Sequence, residues 1–493
     1  MAITRYTASA DTTITNAYKG NLTQRATGSN MGASDILEVF SIFAQESSAS
    51  AELARTLIKF PTDMISSDRS DISIPVSGSV NFFLKLYNAR HSETIPSNYT
   101  LTLSAVKTSW EEGTGMDMED YLDIDEASWV KASADTSWTT AGGDFYSDTS
   151  SSFSASFDSG LENIELDITT LVEQWVNSSG NVLGNKSNYG LLVRMSPSHE
   201  DIVLSNTSSY YTKRFFGRGT EFFYEQPTIE ARWDSSEKDD RGNFYYSSSL
   251  APAADNLNTL YLYNFIRGQL KNIPGVDTGT ILVSLYSGSS SDSAPSGSKL
   301  NLSVGGDVAA AGDLNATGGY ISTGIYTCSL AYTGSTSLKT VYDVWHSNSI
   351  EYVTGTVVPK SITGGTFNPN PKHITKITNL RDSYSPTENA RFRLYVREKD
   401  WNPSIYSKAS MDIENSIIDN AYYKISRVAD NLKLIDFGTG SIKYTRLSHD
   451  VSGNYFDLDM SLFQSGYMYG VNFAYHTNGK YVVQPETFKF RVD

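Results

Sequence analysis

Hydrophobic and polar residues alternate with a period of two over much of the chain. Residues 99–104 read YTLTLS, and the same alternation recurs in residues 189–195, 390–397 and 488–492. Successive side chains of a β-strand point to opposite faces, so this pattern predicts half-buried strands. We therefore expect an all-β protein.

One short segment has the helical period instead. Residues 168–176 (ITTLVEQWV) place Leu171, Val172 and Trp175 on one face, which predicts a short helix. The composition agrees with a β-rich fold, because 31 Tyr, 22 Phe and 36 Gly are typical of strands joined by tight turns. Cys328 is the single cysteine, which excludes an intramolecular disulfide, and its alternation with Leu330 predicts a core position.

At 493 residues the chain is too long for one sandwich. Two stretches rich in charge, Gly or Pro have the character of boundaries: residues 234–243 (DSSEKDDRGN) and 359–372 (PKSITGGTFNPNPK). They predict three domains, at residues 1–233, 244–358 and 373–493. The predicted fold class is an N-terminal jelly-roll-like sandwich followed by two Ig-like or other β-sandwiches.

The charge balance is acidic, with 55 Asp and Glu against 39 Lys and Arg and a net charge of −16. Nucleic-acid binding by the whole molecule needs a basic surface, so no nucleic-acid partner is expected. The N-terminus (MAITRYTASADTTITNAY) has no apolar signal region, and no apolar run approaches a membrane-spanning length. These features predict a protein made in a cytoplasm, with no signal peptide and no membrane partner.

The most acidic window is residues 111–126 (EEGTGMDMEDYLDIDE), which contains no basic residue. Calcium takes several oxygen ligands from flexible loops, and no other cofactor is expected. The spacing does not match an EF-hand loop, so a solvated acidic loop is the alternative to a metal site. The candidate calcium ligands are Asp117, Glu119, Asp120, Asp123 and Asp125.

Four residues of the strand predicted at 390–397 form the clearest positive stripe in the sequence. Arg391, Arg393, Tyr395 and Arg397 share one face by their period of two. This face is a candidate partner-binding surface for an acidic protein, including this chain's own N-terminal half. A solvated sheet face is the alternative.

Aromatic and basic residues cluster at residues 210–223 (YYTKRFFGRGTEFF), where they fit either sugar or base stacking or a core strand with a solvated face. The six histidines show no metal-ligand spacing, and GxSxG, HExxH and P-loop patterns are missing from the sequence. No catalytic residue is assigned and a non-enzymatic protein is expected. A pair of glycosidase carboxylates stays open, since its members need not be close in sequence.

Residues 1–233 resemble the β-sandwich modules known as DNRLRE domains, relatives of carbohydrate-binding jelly rolls. The segments that carry the resemblance are ASADT at 8–12, RTLIKF at 55–60, WEEG at 110–113, DITTLVEQW at 167–175, NYGLL at 188–192 and the closing residues 218–233. This chain departs from the pattern by inserting the acidic loop and the Ser-rich stretch 133–159. A ligand site on the family's loops is therefore not carried over.

The rest of the chain resembles β-rich structural proteins of tailed phages, particularly large marine ones. The matching segments are DDRGNFYY at 239–246, GIYTCSLAYTG at 324–334, FRLYVREKDWNP at 392–403, YFDLDM at 455–460 and FKFRVD at 488–493. The resemblance implies a structural virion protein of the tail, baseplate, neck or capsid surface, whose partners are other virion proteins or further copies of itself. The alternatives are an adhesin or fibre-type protein that binds host polysaccharide with or without calcium, and a polysaccharide depolymerase.

Overall fold

The computed structural model describes residues 2–45, 50–90, 95–124, 126–176, 183–200, 209–287, 295, 298–310, 312–334, 338–347, 349–361, 368–400 and 415–493. These residues form 32 strands and three α-helices, so the all-β class of stacked sheets is confirmed. The chain divides into two compact units. The N-terminal unit comprises Ala2–Asp234 with Gly440–Tyr444, and the C-terminal unit comprises Ser235–Thr439 with Thr445–Asp493.

The strands of the N-terminal unit are β1 (Ile3–Thr7), β2 (Ala10–Thr15), β3 (Ile36–Phe43), β4 (Ala51–Lys59), β5 (Asn81–Leu86), β6 (Tyr99–Ala105), β7 (Lys131–Ser133), β8 (Thr136–Ser137), β9 (Ser152–Phe157), β10 (Ile164–Asp167), β11 (Leu191–Met195), β12 (Ser209–Phe216) and β13 (Thr228–Arg232). Its helices are α1 (Thr62–Ser70), α2 (Thr169–Val176) and α3 (Pro197–Glu200). One sheet has the order β1–β13–β5–β10, and the other has the order β12–β3–β4–β11–β6–β9 with β2 paired to β4. Strands β7 and β8 form a separate hairpin.

Alternation along these strands sets which side chains enter the core between the two sheets. In β3 every second residue is buried, and β6 buries Tyr99, Leu101 and Leu103 as the period of two predicts. The helix predicted at 168–176 is confirmed as α2, where Leu171 and Val172 are fully buried. Asp167, the last residue of β10, stabilises the start of this helix, because its carboxylate accepts the backbone N–H of Thr169.

A second, smaller core lies on the other face of the larger sheet. Leu192 of β11 belongs to it, whereas its neighbours Leu191 and Val193 belong to the main core. The residues between β6 and β9 contribute Trp110, Trp129 and Trp138 to this cluster. The described residues between β6 and β9 therefore cover one face of the larger sheet.

The C-terminal unit begins with β14 (Asn258–Tyr263), β15 (Phe265–Ile266), β16 (Gln269–Leu270), β17 (Thr280–Ser287), β18 (Leu302–Ser303), β19 (Ala316–Ser322), β20 (Ile325–Tyr332), β21 (Val341–Ser347) and β22 (Ile350–Val357). They form one sheet in the order β14–β20–β19–β17–β21–β22, with β18 on β20, and the separate hairpin β15–β16. Cys328 is buried in the core of this sheet, as the alternation predicts. Burial raises the pKa of its thiol to about 12.

The unit continues with β23 (His373–Ile377), β24 (Ser383–Tyr384), β25 (Asn389–Glu398), β26 (Ala421–Arg427), β27 (Lys433–Ile435), β28 (Ser448–Asp450), β29 (Gly453–Asp459), β30 (Tyr467–Thr477), β31 (Lys480–Val483) and β32 (Phe488–Val492). The sheets are β23–β25–β29–β28 and β24–β32–β30–β26–β27, with β31 on β30. Aromatic rings fill the space between them: Phe456 stacks on Phe392 and Tyr423 at centroid distances of 5.0 and 4.5 Å. Within the described ranges, no helix is both long and apolar enough to cross a membrane.

Candidate functional site

Residues 236–243, here called the connector, hold the C-terminal unit together by hydrogen bonds rather than by apolar contacts. The backbone N–H of Asp239 donates to the carbonyl of His449 at 3.0 Å, and the N–H of His449 donates to the carbonyl of Glu237 at 2.9 Å. The Tyr455 hydroxyl donates to the Glu237 carboxylate at 2.7 Å. The connector thus forms a single parallel β-bridge with β28, between Lys238 and His449.

The next residues of the connector reach the neighbouring sheet. Arg241 donates to both carboxylate oxygens of Asp343 in β21, and Asp343 also accepts the indole N–H of Trp345. Asp239 accepts the backbone N–H of Arg241 and is itself buried, and this burial raises its pKa to about 6. A stretch of sequence without apolar residues therefore carries a dense network of buried charge.

A polar cleft of about 790 Å³ opens beside the connector. On its wall, Asp240 accepts the Thr259 backbone N–H with one oxygen and contacts His449 Nε2 at 2.9 Å with the other. Among the described residues, the buried Nδ1 of His449 has no hydrogen-bond partner. The cleft combines carboxylate, amide, hydroxyl and imidazole groups, which suits a polar ligand. Its other lining residues include Lys238, Asn243, Asp255, Asn258, Asp419 and Asn420.

Sequence reasoning missed this cleft. Its walls come from the connector, β14, β20 and the residues before β26 and in β28, so they are far apart along the chain. The one available signal was the DDRGN segment, which supplies Asp240 and Asn243. That segment has the composition of a linker, so the pattern pointed to a boundary rather than to a site.

The carboxylates of the acidic loop accept hydrogen bonds from different parts of the chain. One oxygen of Asp117 accepts the backbone N–H groups of Glu119, Asp120 and Tyr121, and these bonds, led by that from Tyr121, lower the pKa of Asp117. Glu119 accepts the Gly20 N–H at 2.6 Å, and Asp123 accepts both the N–H and the hydroxyl of Thr114.

Asp125 lies outside the described residues. Among the residues that are described, His, Cys, Asp and Glu side chains form no group of three or more placed to hold a metal ion. The calcium site at Asp117, Glu119, Asp120, Asp123 and Asp125 stays a prediction.

The arginine stripe lies on one face of β25, and the core residues Phe392 and Leu394 lie on the other. Arg391 forms a two-bond ion pair with Asp457, which raises the arginine's pKa, and Arg393 pairs with Asp450 at 3.0 Å. Both guanidinium groups also lie against the ring of Tyr455, at 4.3 and 5.4 Å from its centroid.

Strands β28 and β29 thus supply acidic partners to two of the stripe's arginines. Farther along, Arg397 donates to the carbonyl of Glu398 and Tyr395 is half-buried. These acidic partners belong to the same sheet as the stripe, and the sequence pattern did not identify them. A partner-binding role for Arg391, Arg393, Tyr395 and Arg397 stays a prediction.

The aromatic and basic cluster at 210–223 separates into buried and exposed parts. Lys213 is buried, and its ammonium group donates to Asn88 Oδ1 and to the carbonyls of Gly160 and Glu162. Burial lowers its pKa to about 8. The rings of Phe222 and Phe223 are 51% and 45% exposed.

Three segments quoted for the DNRLRE resemblance meet in one polar network. Asp11, from ASADT, accepts the backbone N–H of Arg218 at 2.6 Å. The Arg218 side chain forms a two-bond ion pair with Glu112, from WEEG, and Glu112 also accepts the Asp11 N–H. Burial raises the pKa of Asp11 to about 7. These three residues join the start, the middle and the end of the N-terminal unit.

Comparison with known proteins adds little to this geometry. No protein-family model matches the chain, and no curated protein matches it. A mutant of Salmonella alpha-2-macroglobulin is 8% identical over 94% of this chain and 26% of that one, with a TM-score of 0.14. The same Salmonella protein reacted with methylamine is 9% identical over 100% of this chain and 34% of that one, with a TM-score of 0.15. The chain spans about a quarter to a third of those structures, and the all-β assignment rests on its own strands.

Proposed function

We propose that this chain is a structural virion protein of a tailed phage, a component of the tail, baseplate, neck or capsid surface, and that it works through protein–protein contacts. The resemblance of residues 239–246, 324–334 and 392–403 to phage structural proteins supports the virion setting. The contact role has separate support in the surface of the molecule.

The observation that carries the proposal is a set of large apolar side chains on short, projecting segments. Phe265 in the hairpin β15–β16 is 61% exposed, Tyr121 in the acidic loop is 65% exposed, and Val483 in the edge strand β31 is 55% exposed. Each lies beside further exposed apolar residues, and grouped exposure of this kind marks interaction surfaces. A strand edge such as β31 also offers unpaired backbone groups to a partner.

Buried ion pairs stiffen the N-terminal unit, which carries the acidic loop, and this rigidity favours a structural role. Buried two-bond ion pairs fix elements that are distant in sequence: Arg69 with Glu173 links α1 and α2, and Arg55 with Glu200 links β4 and α3. Groups held in this way stay in one geometry, so the N-terminal unit presents a preformed surface.

Mass spectrometry of gradient-purified particles from the source, after a high-salt wash, tests the proposal. The chain is expected at a fixed copy number per particle that the wash does not reduce. A known capsid protein in the same sample provides the stoichiometric reference. Absence from the particles, or complete loss in the wash, would overturn the virion assignment.

The second candidate is an adhesin-type protein that binds host polysaccharide, and the exposed rings of Phe222 and Phe223 favour it. Aromatic faces stack on sugar rings, and these two rings follow Arg218 on the surface of the N-terminal unit. A glycan array with the purified chain, in calcium and in chelator, tests this function. Binding that is lost in Phe222→Ala/Phe223→Ala but kept in Leu250→Ala supports it, and no binding to any glycan rejects it.

A further inference from the structure

The hairpin β15–β16 projects from the end of β14 on a two-residue turn. Arg267 and Gly268 form the turn with φ of 53° and 76°, the left-handed pair that a tight type I′ hairpin requires. At its base, the N–H of Asn264 donates to the carbonyl of Gly324, and the N–H of Lys271 donates to the carbonyl of Asn264. These bonds fix where the hairpin leaves the sheet.

The exposed side chains of this hairpin are apolar and basic. Phe265 and Ile266 are 61% and 36% exposed, and Arg267 and Lys271 are exposed beside them. Residues 264–271 (NFIRGQLK) contain no acidic residue. Within the described ranges, neither cation forms an ion pair.

The acidic loop of the N-terminal unit has the opposite character. Met116, Tyr121, Leu122 and Ile124 are 54%, 65%, 42% and 60% exposed. Residues 116–124 (MDMEDYLDI) carry four acidic residues and no basic one. The turn bonds to Asp117 hold this loop, so its apolar and acidic side chains are displayed together.

We propose that the hairpin of one copy of this chain binds the acidic loop of a second copy, in a head-to-tail contact. Phe265 and Ile266 would pack against the apolar side chains of the loop while Arg267 and Lys271 face its carboxylates. Each surface combines exposed apolar side chains with charges of one sign, and the two signs are opposite. We identify the partner as a second copy of the chain because every copy carries both of the complementary surfaces.

A head-to-tail contact is heterologous, and it leaves one hairpin and one loop free in a dimer. Such contacts continue into a ring or a filament. The contact is small, and we expect a single one to be weak, with a Kd of about 10–100 µM. A ring or a particle surface would strengthen it by making many contacts at once.

This inference deepens the proposed function by naming a partner, and it is tested on the isolated chain without particles. Sedimentation velocity from about 1 to 200 µM, in about 20 mM and about 500 mM salt, gives the mass distribution. The mean mass should rise with concentration at low salt and fall back at high salt. A wild-type chain that stays monomeric throughout would overturn the contact while leaving the virion assignment to the particle experiment.

Charge reversal identifies the surfaces. Arg267→Glu/Lys271→Glu and, separately, Glu119→Lys/Asp120→Lys are each expected to weaken association at least tenfold. The matched control Lys376→Glu/Lys489→Glu makes the same charge change at exposed positions elsewhere in the C-terminal unit and should leave it unchanged. Circular dichroism verifies folding, because Glu119→Lys removes the bond to Gly20.

Mixing the two charge-reversed variants shows whether their weakened association comes from the loss of a contact between the hairpin and the loop. Neither reversed variant can form the contact with itself, but each keeps one intact surface, so an equimolar mixture of the two should associate. A chain carrying both reversals should assemble again, because the charges are complementary in the opposite sense. Failure of both the mixture and the doubly reversed chain to associate contradicts the proposal.

Discussion

Arg241 and Asp343 lie 102 positions apart and form a two-bond ion pair, with nitrogen–oxygen distances of 2.6 and 2.7 Å. The Asp343 side chain is fully buried. A Cβ on Gly355, the residue of β22 that pairs with Asp343, would overlap both the Arg241 guanidinium and the Asp343 carboxylate. The pair joins the connector to β21 at a place where no larger residue fits.

Loss of Arg241 should therefore lower the free energy of unfolding far more than loss of an arginine from an exposed ion pair. Arg241→Met leaves a buried carboxylate without its counter-ion, and we expect about 3–5 kcal/mol of lost unfolding free energy. In the exposed Arg381–Glu388 pair, Arg381→Met should lower the free energy of unfolding far less, because solvent screens the exposed charges. Urea titration followed by tryptophan fluorescence measures both, and equal losses would show that burial of Asp343 does not matter.

Asp11 makes the stability of the N-terminal unit depend on pH. Its pKa is raised to about 7, first by burial, while the carboxyl of an unfolded chain titrates near 3.8. The folded state therefore holds an extra proton between these values, and this contribution to stability is present below about pH 4 and lost as the pH rises through 7.

Asp11→Asn removes this titration and keeps an acceptor for the Arg218 N–H. At pH 8 the variant should be more stable than the wild type, by at most about 4 kcal/mol, and the difference should shrink toward pH 4. Thermal unfolding at intervals of one pH unit checks this, with the exposed Asp135→Asn as the control. A difference that does not change with pH would contradict the assignment.

Two glycines with the same backbone conformation should respond differently to alanine. Gly190 and Gly184 have φ of 84° and 85°. A Cβ at Gly190 would overlap the carbonyl of Ile58, whereas Gly184 has open space around it. Gly184→Ala should cost about 1 kcal/mol for the left-handed conformation alone. Gly190→Ala should lower the free energy of unfolding by at least twice that amount. Chemical denaturation measures both variants, and similar losses would mean that β4 shifts to accommodate the added methyl group.

Lys213 should be a structural cation rather than a ligand contact. Lys213→Met removes the donor to Asn88, Gly160 and Glu162, and we expect the free energy of unfolding to fall by about 2–4 kcal/mol because one buried and two partly buried acceptors lose their partner. The exposed Lys107→Met serves as the control. Unfolding by urea measures both, and a stable Lys213→Met that loses only ligand binding would reverse this interpretation.

The sequence pattern predicted which residues of the candidate sites share a face, but it did not predict their partners. The period of two correctly placed Arg391 and Arg393 on one face, because the direction of a strand side chain is a local property. It could not identify Asp457 and Asp450 as their partners, since β28 and β29 become neighbours of β25 only when the sheet forms. The same pattern could not foresee that Lys213 would turn inward to three acceptors.

The sequence by itself determined the all-β class, the helix at residues 168–176 and the burial of Cys328, because side-chain alternation and chain composition act over a few residues. Only the tertiary structure decided that the polar stretch 236–243 would become a buried network, with Arg241 on Asp343 and Asp240 beside His449. The physical reason is that a charged residue is stable inside a protein only with a partner. That partner is supplied by whichever strand the fold brings alongside.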